Sequence, residues 1–319
     1  MSDPAHLFPI YVRQGSNPRN FRSGFIDAAG NVAIPVEFDD ARVFNEGLAA
    51  AKKRLWGAID SLGRVVIPYA YNEIGLRFSE GMIDFSKNRR RGLLSRNGTV
   101  MVEPARYWTI SDFSESLACV WDGRLYGFID ETGREVIPCF FEDARRFSEG
   151  VAPVKLRGKW GYVNKRASFV LEPTFEMAHA FQGRLARAKL EQKWGFIERS
   201  GKFVIQPQFA EAFSFSEGLA SVVWEGKGLR GYIDQTGKTV IQPKYQRAMP
   251  FSEGFARVTA VGQRGLHFIN ASGEPVFGRE FLAAGAFSHG LSLVSDLETL
   301  AYINTEGRTV WEGPYVDGR

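Results

Sequence analysis

The sequence predicts an all-β fold of nine tandem repeats of about 34–36 residues, each folding as three short antiparallel strands. Three observations carry the prediction. Two motifs recur along nearly the whole chain with the same period, turn residues fall every six to ten positions, and the runs between them are strand-like. The composition agrees, because 34 Gly and 14 Pro supply turns while 26 Phe, 10 Tyr and 7 Trp supply a core.

The first recurring motif is Phe-Ser-Glu-Gly or a close variant of it. Its phenylalanines are separated by steps of 34, 35, 34, 34, 34, 36 and 36 residues. An apolar residue locked to the period is most simply part of the core between stacked repeats, because one three-stranded unit cannot bury its face alone. We therefore predict burial of Phe44, Phe78, Phe113, Phe147, Phe181, Phe215, Phe251 and Phe287.

The second motif is a glycine followed by two apolar residues and a polar one, as in Gly-Phe-Ile-Asp at residues 24–27. It occurs in nine copies, of which the last two are degenerate. We call the residue before the glycine the Trp position, because it holds Trp56, Trp160 and Trp194, which we also predict to be structural core.

Within one unit, residues 185–189, 193–198 and 202–207 are short runs rich in β-branched and aromatic residues and bounded by turn residues. The second and third runs are joined by Asp-x-x-Gly. Its Asp can accept the backbone N–H two residues later, and its Gly can adopt a positive φ. A proline follows the third run and lacks a ladder donor, so we predict that it marks a strand end or an outer edge. These prolines are Pro35, Pro68, Pro104, Pro138, Pro173, Pro207 and Pro243.

The period alone would also suit tetratricopeptide repeats, which are helical. The frequent Pro and Gly exclude paired helices of ordinary length. We predict a propeller-like toroid, with an open β-solenoid or superhelical array as the alternative. No linker interrupts the repeats, so we predict a single domain over residues 7–319 after a tail at 1–6. Its units begin near residues 7, 48, 82, 117, 151, 185, 219, 255 and 291.

Lys-Trp-Gly-Tyr-Val at residues 159–163 and Lys-Trp-Gly-Phe-Ile at 193–197, each followed by a Gly turn, resemble the bacterial WG-repeat (KWG-repeat) proteins. The resemblance covers about the whole chain. It implies a bacterial repeat scaffold with no shared catalytic residues, and some settings of the family suggest protein binding. The Trp position departs from the family pattern at Ser23, Arg91, Tyr126, Arg230, Leu266 and Leu300.

Composition and charge restrict the function. A net charge of +4 is too small to indicate nucleic acid as a partner. No apolar run is long enough to cross a membrane, and the first residues lack the pattern of a signal peptide. Two cysteines are too few to form a disulfide framework that would stabilise a chain of this size. We therefore expect a cytoplasmic protein that acts without a membrane.

The candidate catalytic and metal-binding residues favour structural interpretations. Six glutamates of the Phe-Ser-Glu-Gly motif could form a ring of carboxylates, but their equivalence favours capping of each one's own turn. The four histidines lack metal-site spacing, and Cys119 and Cys139 are interpreted as small buried residues. We predict no catalytic residues, no metal and no cofactor.

The third unit departs most from its own repeat, with a basic run in place of the usual turn. A solvated hairpin tip and an anion contact both fit this run. Three tryptophans lie outside the Trp position and could be binding anchors if exposed. The partner-binding hypothesis therefore rests on Lys87, Arg89, Arg90, Arg91, Arg96, Trp108, Trp121 and Trp224.

Our first functional hypothesis is a non-enzymatic protein-binding scaffold. In its sharper form this is an immunity protein, or antitoxin, that neutralises a toxin or effector carrying an acidic patch. The alternatives are a carbohydrate- or cell-wall-binding repeat protein, because aromatic-rich β-repeats can present rings to sugars, and an enzyme with an unrecognised site.

Overall fold

The computed structural model describes residues 6–14, 21–226, 228–296 and 299–314. These residues form 33 β-strands. None of their segments is a helix long and apolar enough to cross a bilayer. The chain forms two compact units, one including the described residues up to Arg146 and one beginning at Phe147. A single domain over 7–319 stays a prediction, and the predicted tail lies outside the described residues except for His6.

The first unit contains antiparallel sheets of consecutive strands, in the orders β1-β2-β3, β4-β5-β6-β7, β11-β10-β9-β8 and β12-β13-β14-β15. Its strands are β1 (Phe8–Arg13), β2 (Phe21–Ile26), β3 (Val32–Phe38), β4 (Asp40–Ala41), β5 (Leu48–Lys53), β6 (Leu55–Asp60), β7 (Val65–Tyr71), β8 (Glu73–Ile74), β9 (Met82–Lys87), β10 (Arg90–Ser95), β11 (Val100–Tyr107), β12 (Thr109–Ile110), β13 (Ala118–Trp121), β14 (Tyr126–Ile129), β15 (Glu135–Phe141) and β16 (Asp143–Ala144).

The second unit continues the pattern with β17-β18-β19, a run of ten paired strands from β20 to β29, and the sheet β30-β31-β32-β33. Its strands are β17 (Ala152–Leu156), β18 (Lys159–Val163), β19 (Phe169–Phe175), β20 (Met177–Ala178), β21 (Ala186–Leu190), β22 (Lys193–Ile197), β23 (Phe203–Ala212), β24 (Leu219–Trp224), β25 (Arg230–Asp234), β26 (Thr239–Ala248), β27 (Ala256–Ala260), β28 (Leu266–Ile269), β29 (Pro275–Phe281), β30 (Ala283–Ala284), β31 (Leu291–Ser295), β32 (Thr299–Asn304) and β33 (Thr309–Pro314).

The prediction of three strands per unit misses a fourth, short strand. Within each unit, the chain bends after a third strand and pairs for two residues with the first strand of the following repeat, as β4 does with β5 and β30 with β31. In β23 the third strand and the short fourth strand are continuous. The first part of β23 pairs with β22 and the last part pairs with β24. Neighbouring repeats of the same unit are therefore joined by backbone hydrogen bonds as well as by packing.

The core lies between consecutive repeats. One cluster joins Phe196, Ile205 and Phe215 of the sixth repeat to Val222 and Ile233 of the seventh. All eight motif phenylalanines are at most 5% exposed. Trp56 and Trp160 are buried, and Trp194 is half-buried against the same cluster as Phe196.

The motif glycine is required by the approach of the third strand. A Cβ built on Gly161 would lie 2.5 Å from the Leu171 carbonyl oxygen and 2.8 Å from the Pro173 nitrogen. The pairing shows why: Trp160 pairs with Phe175 but Tyr162 with Leu171, so the third strand carries a bulge of extra residues opposite the glycine. The same close approach occurs at Gly24, Gly57, Gly92, Gly127, Gly195 and Gly231.

The last two repeats show what happens without this glycine. Ala301 takes its place in the ninth repeat, and the pairing of β32 with β33 runs evenly past it. In the eighth repeat the residue is His267, and the opposing strand keeps its bulge with Phe277 at a φ of 65°. Without the glycine, the bulge is lost at this place in the ninth repeat and changes its register in the eighth.

The third strands do not end at the prolines, but the predicted outer edge is confirmed for five of them, because β3, β7, β11, β15 and β19 are the outer strands of their sheets. Pro173 lies inside β19, within the bulge opposite Gly161. A residue without an N–H is tolerated there because the bulge interrupts the ladder of hydrogen bonds.

The Asp-x-x-Gly hairpins form as expected. The Asp234 carboxylate accepts the N–H groups of Thr236 and Lys238 at 2.9 and 3.0 Å, and Gly237 has a φ of 88°. Hydrogen bonds, first from the Thr236 hydroxyl, lower the pKa of Asp234 below its ordinary value, although burial acts in the opposite direction.

Candidate functional site

The basic run of the third repeat forms a tight hairpin tip between β9 and β10. Asn88 and Arg89 have φ values of 52° and 62°, as the two central residues of a type I′ turn require. Lys87, Asn88 and Arg89 are exposed. The tip therefore presents two cationic side chains to solvent.

Arg91 is used inside the repeat. Its guanidinium lies 3.0 Å from the Asp84 carboxylate and 3.6 Å from that of Glu73. Burial raises the pKa of Asp84, and the Arg91 charge opposes that rise. Arg91 thus forms ion pairs within its own repeat, while its predicted role as a partner contact stays a prediction.

The seventh repeat repeats this arrangement. Arg230 also occupies the Trp position, forms an ion pair with Glu211, and lies 4.9 Å above the Phe213 ring. Glu211 and Glu73 hold the same place in their repeats, just after the bend of the third strand. Arginine at the Trp position thus comes with a glutamate on the neighbouring strand segment, which is a structural pairing.

Arg90 behaves differently from Arg91. Its guanidinium carbon lies 3.7 Å from the centroid of the Trp108 ring, within the range of a strong cation–π contact. The Nη1 atom is buried and has no hydrogen-bond partner among the described residues. Trp108 is 40% exposed. The indole therefore holds the guanidinium in one orientation at the surface without neutralising its charge.

The first repeat supplies the matched comparison. Arg22 occupies the place of Arg90, two residues before the motif glycine, and Asp39 occupies the place of Trp108. There the two residues form an ion pair. The third repeat therefore replaces the carboxylate beneath this arginine with an indole ring.

Further aromatic rings extend from Trp108. Trp121 lies 6.4 Å from it, and Tyr126 stacks on Trp121 at 6.1 Å with an interplanar angle of 24°. We call Lys87, Arg89, Arg90, Trp108 and Trp121 the Arg90 face. It contains five of the eight residues that the sequence assigned to partner binding.

The remaining predicted contacts lie elsewhere. Trp224 packs edge-on against Phe209 in a core cluster of the second unit. Arg96 is exposed and lines an open cleft of about 680 Å³ together with Glu80 and Glu131, over Val66 and other side chains. The structure does not join either residue to the Arg90 face.

The motif glutamates hold the next repeat, not their own turns as predicted. The Glu217 carboxylate accepts the N–H groups of Glu253 and Gly254 at 2.6 and 2.9 Å. Glu253 does the same for His289 and Gly290. The preceding Ser216 donates its hydroxyl to the Phe251 carbonyl at 2.7 Å. These bonds form a clasp between successive turns, which explains the repetition of the carboxylates without catalysis.

The clasp depends on the turn geometry. Glu253 and Gly254 have φ values of 52° and 84°, so the turn is of type I′ and both of its N–H groups face the same acceptor. Sequence reasoning missed the inter-repeat direction because the spacing of one motif does not show which turn its carboxylate reaches.

The cysteines have little nucleophilic character. Burial, and next the nearby charge of Asp143, raise the pKa of Cys119 to about 12. Burial, followed by the Asp122 charge, raises the pKa of Cys139 to about 11. Both thiols are free and stay protonated near neutral pH. Across the described ranges, no three His, Cys, Asp or Glu side chains are placed to hold a metal ion.

The chain matches a family model described as the WG-containing repeat. The matched segments are residues 24–54, 56–89, 126–160, 160–194, 194–227 and 231–259, which together exceed half of the chain. The longest gap between matches is 90–125, and it contains Arg90, Trp108 and Trp121. No curated protein matches the chain in sequence.

Solved structures show similarity of fold. A crystal structure described as the eukaryotic initiation factor aligns with a TM-score of 0.68 at 13% identity, over 98% of this chain and 96% of that one. The dihydro-heme d1 dehydrogenase NirN in complex with DHE aligns with a TM-score of 0.52 at 12% identity, over 99% and 74%. The fold is thus a β-repeat of small antiparallel sheets with propeller-like neighbours. Closure into a toroid, or an open array, stays a prediction.

Proposed function

The chain belongs to the WG-containing repeat family, and on that basis we propose that it is a non-enzymatic protein-binding scaffold. The observation that carries the proposal is the Arg90 face. Here the repeat departs from its own pattern, and it holds the half-buried Arg90 side chain against the 40% exposed Trp108 ring. Arginine and tryptophan are enriched among the residues that dominate binding energy at protein interfaces.

The proposed partner is a protein with an acidic patch. Lys87 and Arg89 are exposed beside Arg90, and an acidic surface complements all three charges. In its sharper form the scaffold is an immunity protein in the bacterial cytoplasm that neutralises a toxin or effector. That form rests on the family resemblance, while the Arg90 face supports binding itself.

A pull-down from lysate of the native host, with quantitative mass spectrometry, tests the proposal. The bait is the full chain, compared with a variant carrying Arg89→Glu and Arg90→Glu. We expect one stoichiometric partner that the variant loses, because reversing two charges makes an acidic contact repulsive. Arg91 stays unchanged, since its ion pairs support the fold.

The matched control lies in the fifth repeat. Arg157 and Lys159 flank the equivalent hairpin tip and are exposed. A variant with Arg157→Glu and Lys159→Glu reverses the same number of charges and should retain the partner. If both variants lose the partner, or neither does, the Arg90 face is not the contact. If wild type captures no stoichiometric partner, the scaffold proposal fails.

A carbohydrate-binding function is the second candidate. The 40% exposed indole of Trp108 favours it, because sugars stack on accessible aromatic rings. A glycan array probed with the full chain and with Trp108→Leu tests it. Binding of a defined glycan that the variant loses would support this candidate, and absence of such binding would contradict it.

A further inference from the structure

We propose that the Arg90 face recognises a carboxylate followed by an aromatic or large apolar side chain in an acidic segment of the partner. This inference rests on the proposed function and specifies the chemistry of the same surface. The carboxylate binds the Arg90 guanidinium, and the apolar side chain lies on the rings of Trp108 and Trp121.

The third repeat lacks a carboxylate at the place that Asp39 holds in the first repeat. In the first repeat the arginine two residues before the motif glycine is neutralised by Asp39. In the third repeat Trp108 holds that place, and no carboxylate of the described residues forms an ion pair with Arg90. The repeat geometry therefore keeps an arginine at a carboxylate-binding position while its own carboxylate has been removed. A partner can supply it.

The Arg90 guanidinium is preorganised by Trp108. A guanidinium held with its carbon 3.7 Å from the centroid of an indole ring loses side-chain freedom before any ligand arrives. Its planar fork then needs little further ordering to bind a carboxylate through two parallel hydrogen bonds. The buried Nη1 atom fixes which edge of the guanidinium is turned towards the protein. The opposite edge is the one left for the ligand.

Trp108 and its neighbouring rings provide the apolar contact. Trp108, Trp121 and Tyr126 form a row of rings with centroid separations of 6.4 and 6.1 Å. Trp108 is 40% exposed, and Trp121 and Tyr126 are half-buried. A row of rings beside a fixed cation selects a ligand that places an aromatic or large apolar group next to its negative charge.

The charges favour a peptide over a nucleic acid. Binding along a phosphate backbone needs many cations in a row. The hairpin tip offers Lys87, Arg89 and Arg90, whereas Arg91 is paired internally and Arg106 lies 2.7 Å from Glu135. The three remaining cationic side chains, Lys87, Arg89 and Arg90, match the charge of a short acidic peptide segment. Binding of single-stranded DNA is the competing outcome of the test.

Fluorescence anisotropy on the full chain tests the proposal with a fluorescein-labelled hexapeptide that alternates glutamate and phenylalanine. We expect saturable binding, weakened about tenfold when glutamine replaces glutamate, because a charged hydrogen bond is worth on that order. Replacing phenylalanine by alanine should weaken binding by a similar factor of about ten. A labelled oligonucleotide of six thymidines should bind more weakly than the peptide.

Two substitutions locate the site. Arg90→Lys keeps the charge but removes the planar fork, and should weaken peptide binding about tenfold. Trp108→Asp recreates the ion pair that the first repeat forms at Arg22, so it preserves the fold while neutralising Arg90. It should abolish saturable binding. Arg157→Lys, at the matched hairpin of the fifth repeat, should change the affinity less than about twofold.

Equal binding of the glutamine peptide, tighter binding of the oligonucleotide, or unchanged affinity in Arg90→Lys would overturn the proposal. Far-ultraviolet circular dichroism of each variant separates loss of binding from loss of fold. If the peptide fails while the pull-down retains an Arg90-dependent partner, the carboxylate–aromatic chemistry is wrong and the scaffold stands. If the pull-down also fails, the scaffold is wrong as well.

Discussion

Gly161→Ala should destabilise the second unit strongly although it adds one methyl group. The new Cβ would lie 2.5 Å from the Leu171 oxygen, 2.8 Å from the Pro173 nitrogen and 2.9 Å from the Glu172 carbonyl carbon. All three are backbone atoms, so relief requires β18 and β19 to separate. Overpacking of this kind costs about 3 kcal/mol. For a unit of this size that corresponds to a fall in Tm of roughly 6–12 °C.

Differential scanning calorimetry of the full chain measures this effect, with Gly158→Ala as the matched control. Gly158 lies at the preceding hairpin tip with a φ of 75° and nothing within 4 Å of a built Cβ. Its alanine variant should therefore lose only about 1 kcal/mol, from the left-handed backbone alone. Equal losses in the two variants would refute the assignment of the motif glycine to the bulge.

Three further predictions follow from the turns and thiols. Glu217→Gln should lower the free energy of unfolding by about 1–2 kcal/mol in urea titrations, because a neutral amide is a weaker acceptor for the clasp. Asp234→Asn should barely change stability at pH 7, since Asn164 makes the same hairpin bonds. The stability of this variant should also depend less on pH in acid. In the wild type, hydrogen bonds to the Asp234 carboxylate, first from the Thr236 hydroxyl, lower its pKa, so the ionised carboxylate stabilises the fold above the ordinary carboxyl pKa. The wild type loses this stabilisation as the pH falls through the lowered pKa. A full acid dependence in the variant would contradict this account. Cys119, with its pKa near 12, should resist iodoacetamide at pH 8 in the folded chain but react after denaturation, as followed by mass spectrometry.

Local chemistry was readable from the sequence. The period, the hairpins and the buried phenylalanines depend on residues close together in the chain, and the structure places them as these patterns indicate. The fourth strand was missed although an alanine recurs at its place, as at Ala41, Ala144 and Ala178, because a two-residue strand is too short for alternation to show and is held by pairing with the next repeat. Of the two places predicted for Pro173, a strand end or an outer edge, the structure shows the edge: Pro173 lies inside the outer strand β19, within its bulge.

The candidate site was predictable in outline only. A break in the repeat pattern located the basic hairpin. The sequence did not show which of its charged side chains form ion pairs within the repeat and which do not. Arg91 is paired with Asp84, which requires knowledge of the β9–β10 register. The stack of Arg90 on Trp108 joins residues 18 positions apart in the chain. The comparison with Arg22 becomes visible only after the repeats are aligned by structure.

The most direct test of the central claim is photo-crosslinking in native-host cells. A benzophenone amino acid replaces Arg89, at the tip of the Arg90 face, or Arg157, at the matched tip of the fifth repeat. Both positions are exposed and lie in tight hairpins. We predict one crosslinked protein from position 89, absent when Trp108→Asp is added, and none from position 157. The same products from both positions, or none from position 89, would contradict a binding surface on the third repeat.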